Sequence, residues 1–301
     1  MTSRRALVTG ASGAIGSRLT TRLLNDGWTV RVLTRDEARL ADFSWSGDVE
    51  VVEGDAASPE TLTRAAADVD VAWFLIHSMT GTYDYAEEDR KIARAFGSAC
   101  STAGVARIVY LGGLLPEGEL SEHLDSRREV GQELIDSGVP TAVLQAGIVV
   151  GPGSVSYELL RKAVALPLVV APTWVNHRVQ PISLADALHY LVGAADLPAS
   201  VSRAFDIGGA DTLTYRELIG AFAEAVGRRR PPVITVPVLL PYTTAFAAGV
   251  VAPAPTSLVS SLVESLQVDM VCREHDIAEH VPDPAGGLTD FRTAVVQAQR
   301  D

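Results

Sequence analysis

A few residues into the chain, the apolar stretch Ala6-Leu7-Val8-Thr9 runs straight into Gly10-Ala11-Ser12-Gly13-Ala14-Ile15-Gly16. This order reads as a strand, a glycine-rich turn and a helix whose apolar stripe is Ile15, Leu19, Leu23 and Leu24. The first glycine makes the tight turn, the second lets backbone approach a diphosphate, and the third lets the helix lie against the sheet. The helix N-terminus then offers free N–H groups to the anion. The spacing is G-x-x-G-x-x-G rather than G-x-G-x-x-G, so the loop is one residue longer on its first side. A glycine triplet alone is weak evidence, but between a strand and an amphipathic helix it predicts nucleotide binding.

The rest of the first half continues the alternation. Strands are expected at 5–9, 29–33, 49–53, 71–76, 107–111 and 141–149, and helices near 15–26, 59–67, 85–103 and 121–137. Ser58 and Pro59 form a helix start, and Gly104 and Gly138 sit where helix C-caps belong. Such a pattern predicts an α/β fold: a Rossmann-type doubly wound parallel sheet with helices on both faces. Past Gly151-Pro152-Gly153 the pattern loosens, with helices expected at 157–166, 185–195 and 214–226, the last opening on a capping box of Thr214 and Glu217. Extended pieces are expected at 179–182 and 204–207, and Asp186 is read as the cap of the helix after Ser183. We therefore expect a dinucleotide-binding domain over 1–152 and a smaller, intertwined substrate-side domain over 153–301, with segments near 179–209 returning to the sheet.

Composition narrows the partners. With 301 residues and a net charge of −12, the chain has ample material for a core, and its acidity argues against nucleic acid or an anionic membrane. Cys100 and Cys272 give neither a disulfide framework nor metal spacing, and His189, His275 and His280 add no metal site. The start Thr2-Ser3-Arg4-Arg5 leads directly into the first strand, which implies no signal peptide and a cytoplasmic location. Pro231–Val263 holds no charged residue and no histidine, but six prolines interrupt it and its longest proline-free piece is too short to span a bilayer. It is expected to cover an apolar pocket, with shallow membrane contact or a partner interface as alternatives.

In a doubly wound fold, chemistry lies in the residues that follow each strand. Arg35, after the second strand, suits a ribose 2′-phosphate and favours NADP(H) over NAD(H), although the adjacent Asp36 would suit a 2′-hydroxyl. Asp55 after the third strand offers a carboxylate to the adenine amine. The Thr9–Gly16 run, the Gly54-Asp55 pair and the stretch from Leu144 to Gly153 resemble the extended and atypical short-chain dehydrogenase/reductases. The segments 73–79, 123–127, 174–176 and 180–182 resemble the NmrA-like and YbjT-like NAD(P)-binding subgroup. That resemblance implies diphosphate contacts at Gly10, Ser12, Gly13, Ala14, Ile15 and Gly16, with Arg35 on the 2′-phosphate and Asp55 with Ala56 at the adenine. It implies Leu75, Ile76 and His77 along the cofactor, and Gln145, Ala146 and Gly147 near the nicotinamide.

The resemblance also exposes a departure. Typical members carry a serine at the end of the fifth strand and a Tyr-x-x-x-Lys pair on the next helix; here Gly113, His123 and Arg127 fall at those places. Arginine can hold positive charge but cannot relay a proton, whereas a histidine titrating near neutrality could replace the phenol. His123, His77 and Arg127 are thus the candidate catalytic residues. Tyr83, Tyr85 and Tyr157 are weaker proton donors, and Arg178 would meet either a carboxylate substrate or a surface acid. The expected function is an NAD(P)H-dependent oxidoreductase for an apolar enone, quinone or other conjugated carbonyl, without stable membrane insertion. The alternative is a non-catalytic NADP/NAD sensor of the NmrA-like kind that signals to a protein partner; a homodimer and a membrane-associated scaffold are also open.

Overall fold

The computed structural model describes residues 3–76, 85–236 and 267–300. Seven parallel strands form the central sheet: β1 (Arg5–Thr9), β2 (Thr29–Thr34), β3 (Glu50–Glu53), β4 (Val71–Phe74), β5 (Arg107–Gly113), β6 (Thr141–Ala146) and a late arrival, Arg203–Ile207. Across the sheet the order is Arg203–Ile207, β6, β5, β4, β1, β2, β3, so the chain reverses direction between β1 and β4. Alternation along the strands supplies two cores. Ala6, Val8, Val71, Trp73, Val109 and Leu111 face one side, where they meet Leu19 and Leu23 of α1 (Ala14–Asn25). Leu7, Ala72, Phe74, Ile108 and Tyr110 face the other, beneath α2 (Pro59–Ala66), α3 (Tyr85–Ala103) and α4 (Glu122–Asp136).

Local signals fix the helix ends. Ser58 and Ser121 accept from the backbone N–H groups of Thr61 and Leu124, and Gly104 and Gly138 take positive φ of 73° and 82°. Two strands are shorter than the apolar runs suggest. β4 stops at Phe74 because the Leu75 amide donates to Thr9 Oγ1 (3.0 Å) instead of to a neighbouring strand. β6 stops at Ala146, and the chain leaves the sheet so that β7 (Val149–Val150) pairs with Ile182–Ser183.

Beyond that exit lies a separate apolar cluster built from α5 (Val155–Ala163), β8 (Val169–Pro172), α7 (Tyr215–Ala225) and the helix Phe291–Ala298. The β8 strand pairs in parallel with Val233–Val236, and neither of these, nor the helix Phe291–Ala298, was expected from the sequence. Between the two regions α6 (Leu184–Gly193) crosses back to pack on α1, ahead of the seventh strand. The helix after Ser183 corrects one reading: Ser183 Oγ accepts from the Asp186 amide (3.0 Å) and is itself the cap. The buried Asp186 carboxylate instead accepts from the Thr289 amide (2.8 Å) and hydroxyl (3.1 Å), tying down the C-terminal segment. Among the described residues no helix is long and apolar enough to cross a membrane.

Candidate NAD(P)H site

The turn after β1 is shaped by what its glycines exclude. Gly10 takes φ +70°, and a Cβ there would lie 2.8 Å from the Leu75 carbonyl oxygen. A Cβ on Gly16 would lie 2.2 Å from the Gly10 carbonyl oxygen, so α1 is packed on the turn as closely as backbone allows. The Gly13 amide donates to the Gly10 carbonyl (3.0 Å) and closes the turn. α1 starts on Gly13 with no side-chain cap and no acidic residue in its first turn. Its leading N–H groups therefore point out of the sheet edge beside exposed Ser12, ready for an anion. A Cβ on Gly153 would stand 3.5 Å from Ala14 Cβ, which places the loop after β7 against the start of this helix.

The other sequence-selected positions follow at the same edge in sheet order. Arg35 at the tip of β2 is exposed and, among the described residues, carries no hydrogen bond or ion pair. Asp36, the competing ribose ligand, accepts from the Ala38 amide (3.0 Å) and caps a short helical turn over Glu37–Leu40. Asp55 is exposed at the tip of β3 with Oδ1 on the Ala57 amide (2.9 Å), while Ala56 is buried. Leu75 and Ile76 are half-buried after β4; His77 and Tyr83 lie outside the described residues, as does the Tyr85 side chain. Gln145 and Ala146 are buried at the end of β6, and Gly147 is half-buried just beyond. The turn, Arg35 and Asp55 thus share one side of the strand reversal, and the ends of β5 and β6 share the other, which is the crevice geometry of open α/β sheets.

At the end of β5 the position of the missing serine is tightly packed. A Cβ on Gly113 would stand 3.0 Å from Leu124 Cδ2 and 3.3 Å from Arg127 Cδ and Nε. Arg127 lies over that glycine with Nη2 donating to the Leu111 carbonyl (2.8 Å), while its Nε is buried with no acceptor. One turn earlier on α4, His123 is half-buried, and burial, with Arg127 close by, pushes its pKa down to about 4. This corrects the expectation that it titrates near neutrality: at pH 7 the imidazole is neutral. Tyr110 beneath them is fully buried, and burial raises its pKa further.

The weaker candidates have structural partners. Arg178 donates through its amide (2.7 Å) and Nε (2.9 Å) to Asp269, so it meets a surface acid. Tyr157 packs edge-on against Phe222 in the second apolar cluster. Burial pushes both cysteine thiols up to about 12, and no cluster of metal ligands occurs among the described residues. One contributor escaped the sequence reading. Thr9 Oγ1 donates to the Trp73 carbonyl (3.2 Å) and accepts from the Leu75 amide, holding β4 against the turn. Its signal was a hydroxyl side chain closing an apolar strand just before the glycine.

Residues 10–148 match the family model described as NAD(P)H-binding. Over that stretch the chain is similar to an NAD(P)H-binding domain. It is 27% identical to a ceramide reductase from Caulobacter vibrioides, over 96% of this chain and 92% of that protein. It is 29% identical to the (4-alkanoyl-5-oxo-2,5-dihydrofuran-3-yl)methyl phosphate reductase of Streptomyces griseus, over 74% of each. In fold it is similar to the triphenylmethane reductase of a Citrobacter species solved with NADP(H), with a TM-score of 0.75, 18% identity, and 98% of this chain and 99% of that one covered. The observations above fit that cofactor: the uncapped helix start suits its diphosphate, and the glycine turn leaves a cradle that side chains would fill.

Proposed function

We propose that the chain is an NADPH-dependent reductase of an apolar substrate bearing a conjugated carbonyl, such as an enone or quinone. The single observation that carries this is the pairing of a cofactor turn with a neutral histidine and a fixed arginine at the end of β5. Relatives named as reductases of a ceramide and of an alkanoyl furanone phosphate support substrates with long apolar parts. Unpaired Arg35 supports the 2′-phosphate form, since Asp36 is engaged by backbone.

When bound, the cofactor supplies the hydride. The chain's own contribution is positioning and charge. As hydride reaches the substrate carbon, negative charge develops on the carbonyl oxygen, and a neutral imidazole can donate an N–H to it. The Arg127 guanidinium adds positive charge at the same strand end without exchanging a proton. Water then supplies the proton that completes the two-electron reduction.

NADPH oxidation followed at 340 nm against a panel of enones and quinones tests the reading. Turnover of an apolar member is expected. A second reading, a dinucleotide sensor without catalysis, draws on Arg127 being turned onto the Leu111 carbonyl of β5. Tight dinucleotide binding with no turnover of any compound would select it. For the cofactor preference, Arg35→Ala should weaken NADPH binding ~10-fold or more and leave NADH nearly unchanged; equal losses would remove the preference.

A further inference from the structure

Among the described residues the large hydrophobic side chains that stand exposed are Leu168 (38%), Val170 (37%) and Ile234 (50%). All lie on one small feature. Val170 and Ile234 are register partners in the parallel pair of β8 with Val233–Val236, so their side chains stand side by side on one face. Leu168 stands exposed immediately ahead of β8. The opposite face, with Val169, Ala171 and Val233, packs into the second apolar cluster. A two-stranded sheet apolar on both faces is unusual, because one face packs into the core while the other stands exposed among the described residues.

The charge beside this face has the opposite sign to the rest of the protein. In a chain of net charge −12, Arg228, Arg229 and Arg230 stand consecutively just before the second strand of the pair. Arg230 pairs with Glu224. The Arg228 and Arg229 side chains are exposed and carry no partner among the described residues. The Val169 amide donates to the Pro232 carbonyl (2.9 Å), which draws the end of the arginine run to the edge of the apolar face. In sequence the chain then runs through Val263 without any further charge or histidine.

We propose that this face docks the protein on the surface of an anionic lipid bilayer. Leu168, Val170 and Ile234 would enter the headgroup boundary, and Arg228 and Arg229 would pair with lipid phosphates, with their aliphatic stems against the apolar layer. The overall negative charge opposes approach at long range. Screening over about 8 Å at physiological salt leaves the local arginines in control once the face is near the membrane. This assigns an interface attachment, not a crossing segment. It would give a reductase direct access to substrates that partition into lipid, but it does not depend on the reductase reading.

Flotation of the full chain with vesicles tests it without any turnover. Wild type should float with vesicles of equal parts phosphatidylcholine and phosphatidylglycerol, and much less with phosphatidylcholine alone. Arg228→Glu with Arg229→Glu should lower partitioning ~10-fold or more, and Val170→Ser with Ile234→Ser should do likewise. Both double variants should keep wild-type thermal unfolding and NADPH binding, since the altered side chains are exposed. Absence of wild-type flotation, or variants that float as well as wild type, would overturn the proposal. So would variants that split a wild-type dimer into monomers in size-exclusion chromatography, since the face would then join two copies of the chain.

Discussion

His123 shows how one residue changes meaning when its surroundings are known. Placed by resemblance where a phenol normally stands, it reads as a general acid, because an ordinary imidazole titrates near pH 6.5. Burial and the neighbouring Arg127 hold it at about 4 instead, so at neutral pH the imidazole is uncharged, the form the proposed donor role requires. The consequence for activity is a flat kcat between about pH 5.5 and 8, with a fall only as the midpoint near 4 is approached. His123→Gln, which keeps a neutral donor, should retain more activity than His123→Ala, for which a ~100-fold loss in kcat is expected. A bell-shaped profile with a limb near pH 6.5 would remove this role. The sign for stability is separate. The unfolded chain takes up a proton at His123 below about pH 6.5 while the native chain does not, so this residue lowers stability progressively from there down to about 4. Gly113 belongs to the same argument: a Cβ there would lie 3.0 Å from Leu124 Cδ2 and 3.3 Å from Arg127 Cδ, so a serine would require both side chains to give way slightly.

At the scale of elements, the decisive junction is where the chain returns to the sheet. Arg107 opens β5 with its side chain buried, and its guanidinium donates to the carbonyls of Leu197 (2.9 Å), Pro198 (2.8 Å) and Val201 (3.1 Å) in the connection between α6 and the seventh strand. Burial lowers its pKa, but three charge-assisted hydrogen bonds keep the group satisfied. Arg107→Leu should destabilise the protein by ~2–4 kcal/mol in denaturant unfolding, because it strands those acceptors. A loss below about 1 kcal/mol would show that water replaces the guanidinium. This connection explains what could and could not be foreseen. The strands from Arg5 to Ala146 were legible because each is a short apolar run bounded by turn residues or by a capped helix. Their exact ends were not, because Thr9 takes the Leu75 amide and β7 leaves to pair with Ile182–Ser183, both long-range events. The glycine turn after β1 was legible for the same local reason. The tight packing at Gly113, the burial of His123 and the latch from Asp186 to Thr289 all join residues distant in sequence, or depend on packing that sequence periodicity does not encode.

At the scale of the molecule, two apolar regions are stitched together by the chain crossing between them. The sheet cluster recruits Ile182, Tyr190, Phe205 and Ile277, which come from beyond the exit at Ala146, and the second cluster recruits Leu114 and Leu124 from before it. Carboxylates add to the stitching: buried Asp186 holds Thr289, buried Asp206 holds the Arg273 amide (2.9 Å), and Tyr190 donates to the exposed Asp283 (2.7 Å). Neither region can unfold while the other keeps its contacts, so a single cooperative transition is expected. The candidate NADPH site lies at the edge of the first region, yet by mass action binding there should stabilise the whole. At a hundredfold excess over Kd the gain is about 2.7 kcal/mol, or roughly 5 °C in Tm, and the entire calorimetric peak should move. Gly10→Val, which drives side-chain atoms against the Leu75 carbonyl, should abolish the shift. Two peaks, with only one responding to NADPH, would mean that the crossings do not couple the regions.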